Sequence, residues 1–290
     1  MSRITVLIFL LLIYVSKPCS HEEPAKTLKE KAEKERARTE MLNKKVTSYT
    51  VWKYKITGNS PDVDSKEKYY TAFFDPSGNI SEMIEYGSSG EVKGKTVFGY
   101  DDQNNMITDT DYGPDGMVND KITYQYDGWG RVTEQINYTG GGAVDSKFTY
   151  TIDSAAKRLI FCKYKPLDSV EYRIVYTYES DVDRGNNILA EKQDPSGRLV
   201  LRIENEFNSQ NLRTKKKIYD ENSLLSYYFE YAYENGNENF SSIKKMSPQD
   251  ALLTVTEYGM NETRLISTAK TADNNGNILS YFSYEYTFNK

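Results

Sequence analysis

The residue types that perform most enzyme chemistry are scarce in this sequence. It contains one histidine, His21, which lies close to the N-terminus. A Ser-His-Asp or Cys-His relay needs a histidine beside its nucleophile, and a multi-histidine metal site needs several. The composition therefore excludes both kinds of site.

Carboxylates are the remaining candidates for catalysis or metal binding. Turn-opening acids recur on alternate strands, which are about 9.6 Å apart, too far to share a cation and at the outer limit for an inverting glycosidase pair. We therefore predict that they cap turns and that the protein has no catalytic residues. These acids are Asp75, Asp101, Asp127, Asp153 and Glu179.

A denser acidic segment contains Asp181 and Asp183, followed by Gly185, Asn186 and Asn187. It resembles part of a calcium loop but lacks a bidentate acid at the required offset. An ordinary polar loop is favoured, with calcium on Asp181 and Asp183 as the alternative. No other cofactor is predicted.

Two further side chains have a structural and a functional interpretation. Trp129 lies in the middle of a turn, where an exposed indole can stack on a sugar or anchor a partner. We expect it to fold over the sheet edge and keep ligand binding as the alternative. Cys162 shares a repeat column with Ile84 and Ile136, which favours a buried or half-buried spacer over a reactive thiol.

A 26-residue repeat positions these side chains. An aromatic or apolar residue followed by a turn-forming residue recurs at Phe74, Tyr100, Tyr126, Ile152 and Tyr178. The spacing slips by three before Phe207 and then resumes. A second marker 12 residues after the first divides the unit into two strands and two tight turns. Proline occupies the second position of five of these turns, where its fixed φ is favourable.

Strict alternation within the longer strands, as in Ile122, Tyr124 and Tyr126, indicates an antiparallel sheet with one apolar face. From Val46 to the C-terminus the pattern predicts an all-β fold, an antiparallel meander of about nineteen strands. A sheet of that width would be about 90 Å across if flat, so we expect a curled or shell-like single sheet.

The N-terminal region divides into two segments. Residues 1–20 carry Arg3 and a ten-residue apolar run, which is typical of an export signal. Cys19 follows this run and resembles the lipid-attachment cysteine of bacterial lipoproteins, although Lys17 and Pro18 depart from that pattern. Residues 21–45 are rich in opposite charges three and four apart and predict a helical or flexible spacer ahead of the domain at 46–290.

One turn resembles a known repeat family. Tyr126-Asp127-Gly128-Trp129-Gly130-Arg131-Val132 is similar to the tyrosine-aspartate (YD) repeat of Rhs-type bacterial surface and toxin-shell proteins. Looser relatives occur across most of residues 66–288. The resemblance implies a long β-sheet that forms a shell or makes extracellular contacts and is not itself catalytic. From its length we expect no enclosed toxin domain.

These features favour an exported, membrane-anchored lipoprotein whose repeat array is a non-enzymatic binding or structural scaffold for a protein or glycan. It would lie in the outer membrane, on the cell surface or in the periplasm. The alternatives are a carbohydrate-active enzyme with paired carboxylates and an outer-membrane β-barrel. Nucleic acid is excluded as a partner because residues 46–290 carry 27 basic and 36 acidic side chains.

Overall fold

The computed structural model describes residues 25–165, 169–233 and 240–289. The predicted export signal, Cys19 and His21 lie outside these ranges. Within them, α1 spans Leu28–Asn43 and a short 3₁₀ helix spans Val63–Ser65. The strands are β1 Val46–Lys53, β2 Ile56–Thr57, β3 Ser60–Pro61, β4 Glu67–Phe74, β5 Ile80–Tyr86, β6 Val92–Tyr100, β7 Met106–Tyr112, β8 Val118–Tyr126, β9 Val132–Thr139, β10 Val144–Asp153, β11 Arg158–Lys165, β12 Ser169–Tyr178, β13 Asn187–Gln193, β14 Leu199–Phe207, β15 Arg213–Tyr219, β16 Leu225–Tyr233, β17 Phe240–Met246, β18 Leu252–Met260, β19 Ile266–Asp273 and β20 Ile278–Phe288.

The predicted meander is confirmed, and it closes into a barrel. From β4 to β20 each strand pairs antiparallel with the next strand in sequence, and β1 pairs with both β20 and β4. Among the described residues, the closed sheet therefore has 18 strands. Strands β2 and β3 form a separate small hairpin. Closure removes the exposed edges that an open sheet of this width would have.

Cross-strand register assigns the faces of the barrel. Val51 of β1 lies opposite Tyr284 of β20 and Tyr70 of β4, and all three are buried. The alternate residues Thr50 and Thr71 are also paired, with 3.0 Å between their hydroxyl oxygens. Followed from strand to strand, the register places the tyrosine-rich face inside and the face rich in Thr, Lys and Glu outside.

The turns follow the predicted chemistry. In Asp75-Pro76-Ser77-Gly78, the Gly78 amide donates to the Asp75 carbonyl at 2.9 Å and the Asn79 amide donates to the Asp75 carboxylate at 2.9 Å. Gly78 has a φ of 83°, a value that favours glycine. Asp101 and Asp127 cap their turns in the same way. The Asp153 carboxylate accepts from the Ala156 amide, and the Glu179 carboxylate accepts from the Asn186 amide at the end of a longer loop. The turn-capping prediction is confirmed.

Tyrosines at or near the end of a long strand also tie it to its neighbour. Tyr100, Tyr126, Tyr233 and Tyr286 each donate from the phenol to a backbone carbonyl 20 residues earlier, over 2.6–3.0 Å. In each case the acceptor is the first residue of the preceding short strand. The tyrosine of the repeat is therefore both a packing residue and a hydrogen-bond donor between strands.

The predicted helix is present, and it lies against one end of the barrel. Lys31 near its start donates to the Trp129 carbonyl at 3.3 Å, and Lys44 after its end donates to the Thr263 carbonyl at 2.7 Å. These two turns lie on roughly opposite sides of the barrel. Helix α1 therefore crosses this end, called the helix end below.

Candidate functional site

The loop predicted as a polar or calcium loop holds the start of α1. The Asp183 carboxylate accepts from the Leu28 amide at 3.1 Å, and the Asp183 carbonyl accepts from the Lys29 amide at 2.9 Å. A carboxylate is favourable at this position because the helix N-terminus carries partial positive charge. The Asp181 carboxylate accepts from the amides of Asp183 and Arg184 within its own loop.

The turn that matches the YD motif completes this attachment. Arg131 forms ion pairs with Asp127 at 2.6 Å and with Asp183 at 2.9 Å. The Val132 amide donates to the Ala25 carbonyl at 2.9 Å. Burial raises the pKa of Asp127, but hydrogen bonds from Arg131 and Trp129 outweigh it, so the net pKa lies below its usual value. Arg131 thus joins two turns to the start of the helix.

The predicted site residues consequently have other partners. Asp181 and Asp183 serve backbone amides and Arg131, and in the described part of the chain no group of at least three His, Cys, Asp or Glu residues is arranged to hold a metal. Trp129 does not fold over the sheet edge as expected, since the residue is 69% exposed. Its carbonyl accepts from Lys31 of α1. Cys162 is a free, half-buried cysteine. It lies opposite outward-facing Thr149, so it is on the outer face.

The end opposite α1, called the distal end below, has an inner ring that the sequence prediction missed. Its members face inward, two positions before the turns at this end, on alternate strands. We call this set the rim ring. It consists of Glu85, Asp111, Asn137, Lys163, Lys192, Ile218, Lys245 and Thr271.

Charges in the rim ring are segregated. Glu85 and Asp111 lie on β5 and β7, and inward-facing Asp120 of β8 is directly opposite Asp111. Asp109, one inward position deeper than Asp111, is fully buried. The lysines lie on β11, β13 and β17, on the other side of the barrel. The acidic members of the rim ring therefore lie in one half of the barrel and its lysines in the other half.

The rim lysines Lys163, Lys192 and Lys245, called the lysine arc below, lie beside inward-facing aromatic rings. Lys192 Nζ is 4.0 Å from the ring centroid of Tyr172, and Lys163 Nζ is 5.8 Å from the same centroid. Lys245 Nζ is 4.1 Å from the centroid of Tyr227. Lys163 also pairs with Glu171 at 3.2 Å, whereas Lys192 and Lys245 have no ion-pair partner among the described residues.

The inner wall beside the lysine arc keeps contact with solvent. Inward-facing Tyr172, Leu201 and Phe229 are half-buried, whereas Tyr70 and Tyr284 on the far wall are buried. The connection between β1 and β4 lies on the outer face, because the Tyr54 ring packs edge-on against Tyr281 with centroids 5.3 Å apart. Burial raises the pKa of the Tyr172 phenol. The charge of Lys163 lowers this pKa and that of Glu171 raises it, both by smaller amounts.

A deeper cation lies on the same wall. Lys216 of β15 is opposite Phe229 on the inner face, with Arg213 at the start of its strand. Burial, and then the charge of Arg213, lower the pKa of Lys216. The basic half of the wall therefore extends from the rim toward the helix end.

Comparison with known proteins gives no family. No family model matches the chain, and neither does any curated protein. Similar solved structures include porin-like proteins from Bacteroides uniformis ATCC 8492 (9% identity, TM-score 0.43, covering 83% of this chain and 98% of that one) and Bacteroides vulgatus ATCC 8482 (12%, 0.34, 84% and 98%). A TcdB2-TccC3 structure without its hypervariable C-terminal region has 12% identity and a TM-score of 0.16, covering 72% of this chain and 15% of that one. All three TM-scores are below 0.5, so the proposals below rest on this chain's own residues.

Proposed function

We propose that the protein is an exported, non-enzymatic binding protein of the cell envelope that holds a ligand against the inner wall of its barrel. The observation that carries this proposal is the composition of the inner wall. The inner wall presents tyrosines and segregated charges at the distal end, and α1 lies across the other end. Barrels with aromatic interiors and solvent contact at one end are suited to enclosing small ligands.

The outer face supports a barrel surrounded by water. Outward-facing ion pairs lie at separate places around the barrel, each with 2.6 Å between the charged atoms. A lipid-facing barrel instead has an apolar outer band, and a lysine at the bilayer midplane costs about 2–4 kcal/mol. These pairs are Lys147–Glu134, Lys217–Glu206 and Lys270–Glu257.

The outer-membrane barrel remains the second candidate, and closure favours it. Bacterial outer-membrane proteins are closed antiparallel barrels with an even number of strands, as this one is in the described residues. The charged outer face is the observation that ranks it second. As for helices, none in the described ranges combines the length and apolar character needed to cross a membrane.

Detergent-free purification of residues 20–290 tests the first candidate against the second. We expect a monodisperse protein that binds the uncharged hydrophobic dye N-phenyl-1-naphthylamine with a saturable fluorescence increase. A protein that stays folded only in detergent micelles would favour the outer-membrane barrel. A soluble protein that binds no dye would leave a purely structural scaffold.

The membrane anchor is a separate part of the proposal, supported by the sequence around Cys19. Metabolic labelling with an alkyne fatty acid should mark the wild-type chain and not the Cys19→Ser variant. Equal labelling of both would reject the anchor without affecting the binding proposal. The YD-repeat relationship likewise remains a proposal, supported by residues 126–132.

A further inference from the structure

The lysine arc contains a compact cationic and aromatic site. Lys163 and Lys192 lie on β11 and β13, two strands and thus about 10 Å apart, and Tyr172 lies on the strand between them. Both ammonium groups are within 6 Å of the Tyr172 ring centroid. The Tyr172 ring on the inner wall therefore has an ammonium group beside it from each of the two neighbouring strands.

The surroundings of this pair are apolar on the side toward α1. Ile174 lies opposite both Lys192 and Phe161, and Tyr176 lies opposite Leu159 and Ala190. These side chains form a continuous inward surface below the ammonium groups. A ligand lying against it would place a polar group at the rim and an apolar body deeper in the barrel.

Charge complementarity identifies the polar group as an anion. Lys192 has no ion-pair partner among the described residues, whereas Lys163 pairs with Glu171 at 3.2 Å. The inward acids of the rim, Glu85, Asp111 and Asp120, lie on the opposite wall. An anion entering at the distal end is thus attracted to one side and repelled by the other. The domain at 46–290 is acidic overall, with 36 acidic against 27 basic residues, which disfavours a highly charged polyanion.

We propose that Lys163, Lys192 and Tyr172 bind a small amphipathic anion, with one carboxylate, sulfate or sulfonate group beside the two ammonium groups and an apolar or aromatic body against the inner wall. This inference rests on the proposed binding function and specifies the chemistry of its ligand. Tyr172 supplies a flat surface for the part of the ligand next to the anionic group.

A pair of dyes that differ mainly in charge tests this inference. 1-Anilinonaphthalene-8-sulfonate and N-phenyl-1-naphthylamine share their ring system, and only the first carries a sulfonate. We expect residues 20–290 to bind the sulfonate dye more tightly at low salt. The Lys163→Gln/Lys192→Gln variant should lose about tenfold in affinity for the sulfonate dye and stay within twofold for the neutral dye. Increasing the salt concentration should weaken the binding of the sulfonate dye and leave the binding of the neutral dye unchanged.

Two matched variants control for charge and for position. Glu85→Gln/Asp111→Asn removes two charges from the same ring on the opposite wall, so affinity for the sulfonate dye should stay constant or increase. Lys121→Gln removes an exposed lysine from the outer face and should change neither dye. The single variant Lys192→Gln serves if the double variant fails to fold, with an expected loss of about threefold.

The outcomes separate this inference from the proposed function. In one outcome, the lysine variants and Lys121→Gln have equal effects on binding of the sulfonate dye while the neutral dye still binds. That result would overturn the anion site and leave the binding barrel in place. Failure of both dyes to bind the folded protein would overturn the proposed function itself. Loss of both dyes in the lysine variants would show that these residues shape the wall and do not recognise charge.

Discussion

Replacing the strand-tying tyrosines by phenylalanine should destabilise the barrel in equal steps. Tyr126 donates to the Met106 carbonyl at 2.6 Å, and Tyr100 makes the equivalent bond to Ile80 at 2.9 Å. Phenylalanine keeps the ring in place and removes only the hydroxyl. The variant therefore isolates the hydrogen bond from the packing.

The expected magnitude follows from the net value of a hydrogen bond. Exchange with water leaves about 0.5–1.5 kcal/mol for an intramolecular bond, so Tyr126→Phe should lower the free energy of unfolding by about 1 kcal/mol. Tyr100 and Tyr126 lie two strands apart, about 10 Å, where effects of separate substitutions are nearly additive. The quadruple variant should lose about 4 kcal/mol. Its members are Tyr100→Phe, Tyr126→Phe, Tyr233→Phe and Tyr286→Phe.

Urea unfolding of residues 20–290, followed by circular dichroism, measures this loss. The midpoint should decrease with each substitution while the slope of free energy against urea stays constant, because the surface exposed on unfolding is unchanged. Tyr86→Phe is the matched control, because Tyr86 ends a short strand on the outer face and contacts Lys68 through its ring, 4.7 Å from the ammonium group. A neutral Tyr126→Phe, or a control that costs as much, would refute the role assigned to the hydroxyl.

Three further perturbations test the helix and the buried phenols. Met41 is 2% exposed, so Met41→Ala should lower the free energy of unfolding by about 2–5 kcal/mol if the helix and barrel unfold together. A loss below about 1 kcal/mol, with faster amide exchange only in residues 28–43, would show that the helix is released independently. Asp183→Asn removes the negative charge that interacts with both Arg131 and the helix N-terminus, so trypsin should cleave α1 faster than in wild type. High salt should reduce this difference, and equal cleavage rates would contradict the attachment of the helix by Asp183. Burial raises the pKa of Tyr70 and Tyr284 well above 10, so the stability due to the neutral phenols is complete below pH 10 and decreases as the pH rises above it. Their ionisation, followed by absorbance at 295 nm, should coincide with unfolding. Reversible titration of every tyrosine in the folded protein, before unfolding begins, would argue against burial.

The repeat, the strands and the turns were predictable because their causes are local. Alternation of apolar and polar residues reports a strand with one buried face, and the Asp-Pro-x-Gly sequence at Asp75 specifies a turn through its own hydrogen bonds. The helix at Leu28–Asn43 was also predictable, since its opposite charges are spaced for helical pairing. Each of these patterns is complete within a few residues.

The contacts of the helix with the barrel were not predictable. Ala37 and Met41 are its buried residues, too few to predict a docked face, and several of its polar contacts are to turn carbonyls that no sequence pattern marks. The expected position of Trp129, against the sheet edge, likewise took no account of a helix beside its turn. The helix that lies against its turn is about 100 residues away in sequence.

By itself the sequence determined an antiparallel meander with a tyrosine-rich face, because strand period and turn chemistry are properties of neighbouring residues. Only the tertiary structure decided that β1 joins β4 and β20, since partners so distant in sequence are selected by the curvature of the whole sheet. That closure turns the tyrosine face inward and gathers Glu85, Asp111, Lys163 and Lys192 into one ring. These residues were visible at repeat spacing, but their common face depends on a register that single residues do not encode.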